Sequence, residues 1–444
     1  AVTDNGIGVA GPGFNCKFKA IKISDKNGVL IAAFEGIRWA ADNGCKIINC
    51  SWGGSSHSQY EQDIINYAAI NKNCLIVSSA GNSGKMESLY PNSYNNVYSV
   101  GASNSKDEVA AFSTYGYAVD FLAPGEGIYS TSGTDSSGYA SNDGTSMASP
   151  VAAGAAALIQ SKFNYTNPMQ IGERLRQTCD PLAITGVNNT DSLYKNGYLG
   201  KGRINVYRAL TEQNLKSLVI SPIAITDGGD DVFMPAETLS ISATFTNYLD
   251  ALNNAVATLS VASVSAGNAP QILGGGMFNL GPLATLAAKN NNTAPFKIVL
   301  DPSVPINQVV TFVITVTDGS YTEKQYISID VNEDCIDVTV NDVFTTISST
   351  GIIGTNKSLD LPRRKGLGFQ YQLMPSGSEK DILPEMSLMI GVSADQVSDN
   401  FKELDFGTIY PYSDFARVKR VNRILNSSVA DFQAVGDFND SVAK

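Results

Sequence analysis

Two hydrophobic rhythms divide this chain. In the first half, short apolar runs alternate with segments of helical spacing. Cys16 to Ile23 alternates polar and apolar residues, which predicts a strand. Leu30, Phe34, Ile37 and Ala41 recur at helical spacing, and Asn43-Gly44 supplies a stop. The short run from Lys46 to Cys50 predicts a buried strand, and a second helix follows with Tyr60, Ile64 and Tyr67 on one face. Leu75 to Ser79 and Val97 to Val100 predict two more strands. Strand–helix–strand repeats of this length specify an α/β fold with a parallel sheet and helices on its faces. Function in such sheets gathers at the carboxyl ends of strands. Two Gly-rich segments fall at those ends, Ser51-Trp52-Gly53-Gly54 and Ala80-Gly81-Asn82-Ser83-Gly84.

The rhythm changes near Thr211 to Leu215. Leu239, Ile241, Ala243 and Phe245 alternate with Ser240, Ser242, Thr244 and Thr246. Val310, Phe312, Ile314 and Val316 alternate in the same way with Thr311 and Thr315. Such strands, separated by Asn/Gly/Pro turns, predict a β-sandwich. Further strand-like runs, Cys335 to Val340 and Leu388 to Val392, predict another β-rich module. The expected division is therefore 1–213, 214–332 and 333–444.

Composition narrows the function classes. With 43% hydrophobic and 16% charged residues, the 444-residue chain is globular and long enough for two or three cores. A net charge of −11 argues against nucleic acid, whose phosphates need clustered Lys and Arg. No apolar run is long enough to span a membrane. Six cysteines lack paired spacing, so a zinc site is not expected; buried free thiols or one or two disulfides both fit. The chain opens Ala-Val-Thr-Asp without an initiator Met or a signal-like segment and closes on a polar stretch, so both ends are read as cuts through a longer protein.

The candidate chemistry centres on Asp143-Gly144-Thr145-Ser146-Met147-Ala148-Ser149-Pro150, which leads into an Ala-rich helix. A glycine turn there sets Ser146 at a helix start, where unpaired N–H groups and the positive end of the dipole lie near its oxygen. An N-cap serine with no chemistry fits the same residues. Gly-Thr-Ser-Met-Ala-Ser-Pro, however, resembles the nucleophile motif of the subtilisin-like (subtilase) serine proteases. Further resemblances follow in family order: Ile48 to Gly54, Ser79 to Gly84, Tyr90-Pro91, Val97 to Ala102, Phe112-Ser113, Leu122 to Gly125 and Gly200 to Val206. Together they cover residues 1 to about 211.

The resemblance implies an incomplete subtilisin-like domain and a role for each matching position. Ser146 would attack the scissile carbonyl and form an acyl-enzyme, and the Asn82 side chain with the Ser146 N–H would hold the oxyanion. Substrate would lie as an extended strand against Lys26, Asn27 and Gly28 on one side and Ser51, Trp52 and Gly53 on the other. Ala80, Gly81 and Thr145 would complete the substrate site. Leu89 falls near the floor of the primary specificity pocket and would shorten it. Thr3 to Val9 resembles a family calcium loop, with oxygens from Thr3, Asn5, Ile7 and Val9; this structural calcium is the only ion implied, and the chemistry needs no cofactor.

The chain departs from the family in one respect. A triad needs an imidazole base and a carboxylate to orient it. The Asp-Ser/Thr-Gly and His-Gly-Thr-His motifs that carry them are missing, and the only histidine, His57, has the wrong neighbours. The expectation is a secreted or cell-surface endopeptidase acting on proteins or peptides, whose full form has both groups while these residues alone are inactive. A pseudoprotease, or a scaffold whose β-modules bind a cell surface or polysaccharide, remains open.

Overall fold

The computed structural model describes residues 6–55, 57–133, 138–182, 190–229, 232–305 and 307–332, with separate short strands after 334. Four parallel strands form the first sheet in the order β1 (Ile47–Cys50), β2 (Leu75–Ser79), β3 (Val97–Ser103) and β4 (Val119–Pro124). Helix α1 (Ala33–Asp42) precedes it, and α2 (Gln59–Asn66), continued by one π-helical stretch to Asn71, joins β1 to β2. A hairpin of β5 (Ile128–Thr131) and β6 (Tyr139–Asn142) leads to the long helix α3 (Thr145–Phe163), followed by α4 (Met169–Gln177), α5 (Thr190–Lys195) and α6 (Val206–Thr211).

Strand β2 shows why the sheet is doubly covered. Leu75 and Val77 join α3 alanines Ala148, Ala152 and Ala155 in one core, whereas Ile76 joins Ile37, Ile64 and Ile65 on the opposite face. A period of two therefore sends alternate side chains into two separate cores, and the strand reads as a continuous apolar run. The small residues of α3 let that helix lie close across all four strands, and α3 carries Ser146.

Two expected elements differ. Cys16 to Ile23 forms no strand; only an isolated bridge, Ser24 to Leu30, occurs there. Alternation can make a strand only where a neighbour offers its ladder, and β1 pairs with β2 alone among the described residues. Phe18 is 87% exposed in that segment. On α2 the buried residues are Gln62, Ile64 and Ile65, with Ala68 and Ala69 in the π stretch, while Tyr60 is exposed. The inward face of α2 includes Gln62, whose amide donates to the Asn95 carbonyl at 3.2 Å and accepts from the Asn95 N–H at 2.9 Å.

Beyond α6 the chain forms two antiparallel sheets. One contains β7 (Leu218–Thr226), β8 (Thr238–Asn247), β10 (Gln271–Leu273), β12 (Ala288–Asn290) and β13 (Phe296–Val299). The other runs β11 (Met277–Leu283), β9 (Leu252–Val264), β14 (Gln308–Asp318) and β15 (Tyr321–Val331). Leu239, Ile241, Ala243 and Phe245 from the first meet Val310, Phe312, Ile314 and Val316 from the second in one core, as the alternation requires. After it, β16 (Cys335–Val340), β17 (Val343–Ser348) and β18 (Phe369–Tyr371) make a small antiparallel sheet. Strand Ile390–Ser393 overlaps the expected Leu388 to Val392 run. All five cysteines among the described residues are free thiols. Burial pushes Cys50 up to about 12 and Cys74 up to about 11, so neither is a thiolate near neutral pH.

Helix α4 contains a position where two ordinary rules conflict. Replacing a mid-helix glycine by alanine normally stabilises by about 1 kcal/mol. At Gly172, however, a Cβ would stand 2.2 Å from two ring carbons of Tyr98. That ring is 3% exposed, and its hydroxyl donates to Met169 O at 3.2 Å and to Glu173 Oε1 at 3.1 Å, so it has no room to swing. Overpacking wins: Gly172→Ala is expected to cost about 1–3 kcal/mol by denaturant unfolding.

The two large units meet across α4 and β15. A cavity of about 310 Å³ lies between them, lined by Asp120, Glu173, Arg176, Ser221 and Glu323 among others. Removal from water raises Asp120 to about 7 from an ordinary 3.8, against the pull of Arg176 and the Ser99 N–H. Burial alone would raise Glu323 too, but Arg176 and Lys201 hold it at about 2 against an ordinary 4.5. The two carboxyls work in opposite directions. Between about pH 4 and 7 the folded chain keeps the Asp120 proton that the unfolded chain has lost, so stability falls as pH rises. Glu323 contributes stability that is complete above 4.5 and is lost as pH falls toward 2. In profiles of Tm against pH, Asp120→Asn is expected to gain Tm relative to the unsubstituted chain as pH rises from about 4 to 7.

Candidate active site

Ser146 stands second in α3, half-buried, beyond the carboxyl ends of β1 and β2. Its neighbour Thr145 is fully buried and organises the site. The Thr145 N–H and its hydroxyl both donate to Asn82 Oδ1 at 2.9 Å, and Thr145 Oγ1 accepts from the Gly81 N–H at 3.1 Å. Asn82 thus caps α3 from another loop, in place of the helix's own N-cap residue, which is Gly144. With its oxygen occupied, the Asn82 Nδ2 group has no partner among the described residues.

Gly144 defines the space beside these groups. The point where its Cβ would be lies 3.5 Å from Asn82 Nδ2 and 3.6 Å from the Ser146 nitrogen. Its φ of +152° is one that glycine alone adopts readily. The Ser146 N–H is an orphan donor of the first helical turn, so two unused donors border one small space.

The wall strand is tied to the same helix. Ser51 Oγ donates to the Ser146 carbonyl at 2.9 Å and the Ser146 hydroxyl faces the Ser51 carbonyl at 3.3 Å. Asn49 Nδ2 donates to Ser51 Oγ at 2.9 Å, and Ser149 Oγ donates to Asn49 Oδ1 at 2.6 Å. Trp52 packs edge-on against Phe34, and Gly53 lies 3.1 Å, measured from the position of an added Cβ, from the Tyr90 carbonyl. The Ala80 carbonyl receives the buried Asn92 side chain at 2.8 Å. Leu89 closes over Gly81: its Cδ1 is 2.4 Å from where a Gly81 Cβ would be.

Lys26, Asn27 and Gly28 form the tip of a turn, because Asp25 Oδ1 accepts from the Asn27 and Val29 N–H groups. That segment therefore offers a turn in place of an extended edge. His57 is exposed and leans on Tyr90 and Tyr94 with ring centroids 5.2 and 5.4 Å away; partial burial lowers its pKa. No hydrogen bond joins it to Ser146 among the described residues. Thr3 and Asn5 lie outside the described residues. Ile7 and Val9 bring only backbone carbonyls, and no metal-binding group of three His, Cys, Asp or Glu side chains occurs among the described residues. Asn49 and Asn92 were missed from the sequence, since an asparagine that braces a loop looks like one that makes a turn.

The site is thus a serine at the start of a small-residue helix, faced by an asparagine from another loop, beyond the carboxyl ends of a parallel sheet. The family model described as "Subtilase family" matches residues 1–198. Thermitase of Thermoactinomyces vulgaris is 38% identical over 212 residues, covering 47% of this chain and 71% of its own length. Subtilisin DY of Bacillus licheniformis is 40% identical over 215 residues, covering 47% and 73%. A thermophilic serine proteinase of Bacillus sp. strain AK1 is 39% identical over 213 residues, but the chain spans only 49% of its length. The chain belongs to the subtilase family of serine proteases.

Proposed function

We propose that this chain carries the nucleophile half of a peptide-bond hydrolase. Ser146 Oγ attacks the scissile carbonyl, the bond to the leaving amine breaks, and the acyl group stays on Ser146 until water displaces it. Negative charge that develops on the carbonyl oxygen is met by Asn82 Nδ2 and the Ser146 N–H. Support comes from a single observation: these two donors border the space that Gly144 leaves open, with Met147 Sδ beside them.

The general base in this reading is a histidine that these 444 residues do not supply, since their one histidine, His57, rests against Tyr90 and Tyr94. Ser51 to Gly53 and the Ala80-Gly81 segment hold the substrate backbone. Substrates are proteins or peptides, and the setting is secreted or cell-surface. Among the described residues no helix is long and apolar enough to cross a membrane. A structural calcium at Thr3, Asn5, Ile7 and Val9 enters no step.

The test uses a chain extended before Ala1 by the corresponding N-terminal segment of thermitase. A fluorophosphonate is expected to label Ser146 in it, and Ser146→Ala to abolish the label. A folded extended chain that stays unlabelled would overturn the reading. Specificity follows from Leu89, which fills space over Gly81 and favours small side chains next to the scissile bond. In the extended chain, Leu89→Ala is expected to raise kcat/KM for a Phe-containing peptide relative to its Ala analogue by about 10-fold or more, the effect of one or two methylenes in a pocket.

A further inference from the structure

We infer that the β-sandwich is a fixed lobe of the catalytic unit, docked through Glu323 onto a face of the α/β domain formed by α4 and the Tyr198–Lys201 turn, and that the two unfold as one body. This does not depend on the chemistry assigned to Ser146. Glu323 lies on edge strand β15 opposite Val316, on the face that carries Ile329 and Val331 into the core, and it is 3% exposed, so its carboxylate needs partners. Arg176 donates to its two oxygens at 2.9 and 3.1 Å, Gln177 Nε2 donates at 2.8 Å, and Lys201 Nζ stands at 3.0 Å. All three come from the α/β domain. Within the sandwich, Tyr321 adds its hydroxyl at 3.1 Å.

The same face is held at other points. Tyr326 stacks on Tyr117 with centroids 4.6 Å apart and an interplanar angle of 12°, and its ring lies over Gly197, 2.6 Å from where a Cβ would be. Gln170 Nε2 donates to the Tyr248 carbonyl at 3.0 Å, and Ser221 Oγ to Asn95 Oδ1 at 2.9 Å. A buried ion pair is weak as a source of net stability, but removing one partner strands the other. Directional bonds to both carboxylate oxygens also fix one orientation of the lobes, which a tethered module would not need.

Both tryptophans, Trp39 and Trp52, lie in the α/β domain, so their fluorescence reports that domain alone. In denaturant, the 444-residue chain is expected to lose hydrogen-exchange protection in 145–163 and 308–318 at the same concentration. Glu323→Gln, a change confined to the sandwich, is expected to lower the thermal midpoint read by tryptophan fluorescence by on the order of 5–10 °C. Gln177→Ala removes one bond from the other side and serves if Glu323→Gln does not fold; it is expected to lower the tryptophan midpoint and the denaturant concentration at which both segments, 145–163 and 308–318, lose protection. The exposed Lys324→Ala should leave them unchanged. Separate loss of protection in the two segments, or a tryptophan midpoint unmoved by Glu323→Gln and Gln177→Ala, would overturn the inference.

Discussion

Peptide hydrolysis by these 444 residues is expected to be indistinguishable from that of Ser146→Ala. A serine hydroxyl near neutral pH is a poor nucleophile until a base takes its proton. Here Ser146 Oγ faces the Ser51 carbonyl at 3.3 Å, an acceptor that cannot carry a proton away. The one imidazole, His57, rests against Tyr90 and Tyr94. Loss of the histidine alone lowers turnover by about 10⁶, a figure itself measured on a subtilisin. A chromogenic peptide assay of the chain beside Ser146→Ala checks this. Turnover above the variant's would show that a base lies within reach of Ser146.

Asn82→Ala, in the chain extended to supply a base, is expected to lower kcat by about 10²–10³ with little change in KM; this figure too comes from a subtilisin asparagine. The split between kcat and KM matters, because an amide that meets only developing charge leaves ground-state binding untouched. Asn82 also caps α3 through Thr145, so its loss is expected to cost about 1 kcal/mol of stability as well. Measuring kcat well below the variant's Tm separates the two effects. An unchanged kcat would remove Asn82 from the oxyanion role and leave it as a cap.

The first half of the fold was legible wherever local pattern and tertiary need agreed. Leu75 to Ser79 had to be a buried strand, because an apolar run that short, bounded by polar turns, finds few other places. Cys16 to Ile23 carried an equally clear alternation and formed no strand, because pairing is decided by a neighbour that the pattern does not contain. The sandwich could be read from the serines and threonines between Leu239 and Phe245. At the site, glycines marked the backbone turns, but Asn82 alone would have read as a turn residue, and its role came from the resemblance of Ser79 to Gly84 to the family. Thr145 was expected to line the substrate site; that it grips Asn82 by two hydrogen bonds depends on two loops meeting in space. Glu323 alternates in step with Ile327, Ile329 and Val331 on the core side of its strand, but nothing local to it says that its partners come from the other domain.

The grip of Thr145 on Asn82 has a mechanical consequence. The residue that clamps the amide is the immediate chain neighbour of the residue that would attack, so the two halves of the reaction's geometry share a single joint. The Thr145 N–H and hydroxyl together hold the Asn82 oxygen, so the position of the amide is set by the same helical turn that sets Ser146. The clamp also keeps the amide from turning over and presenting an oxygen where a proton donor is required.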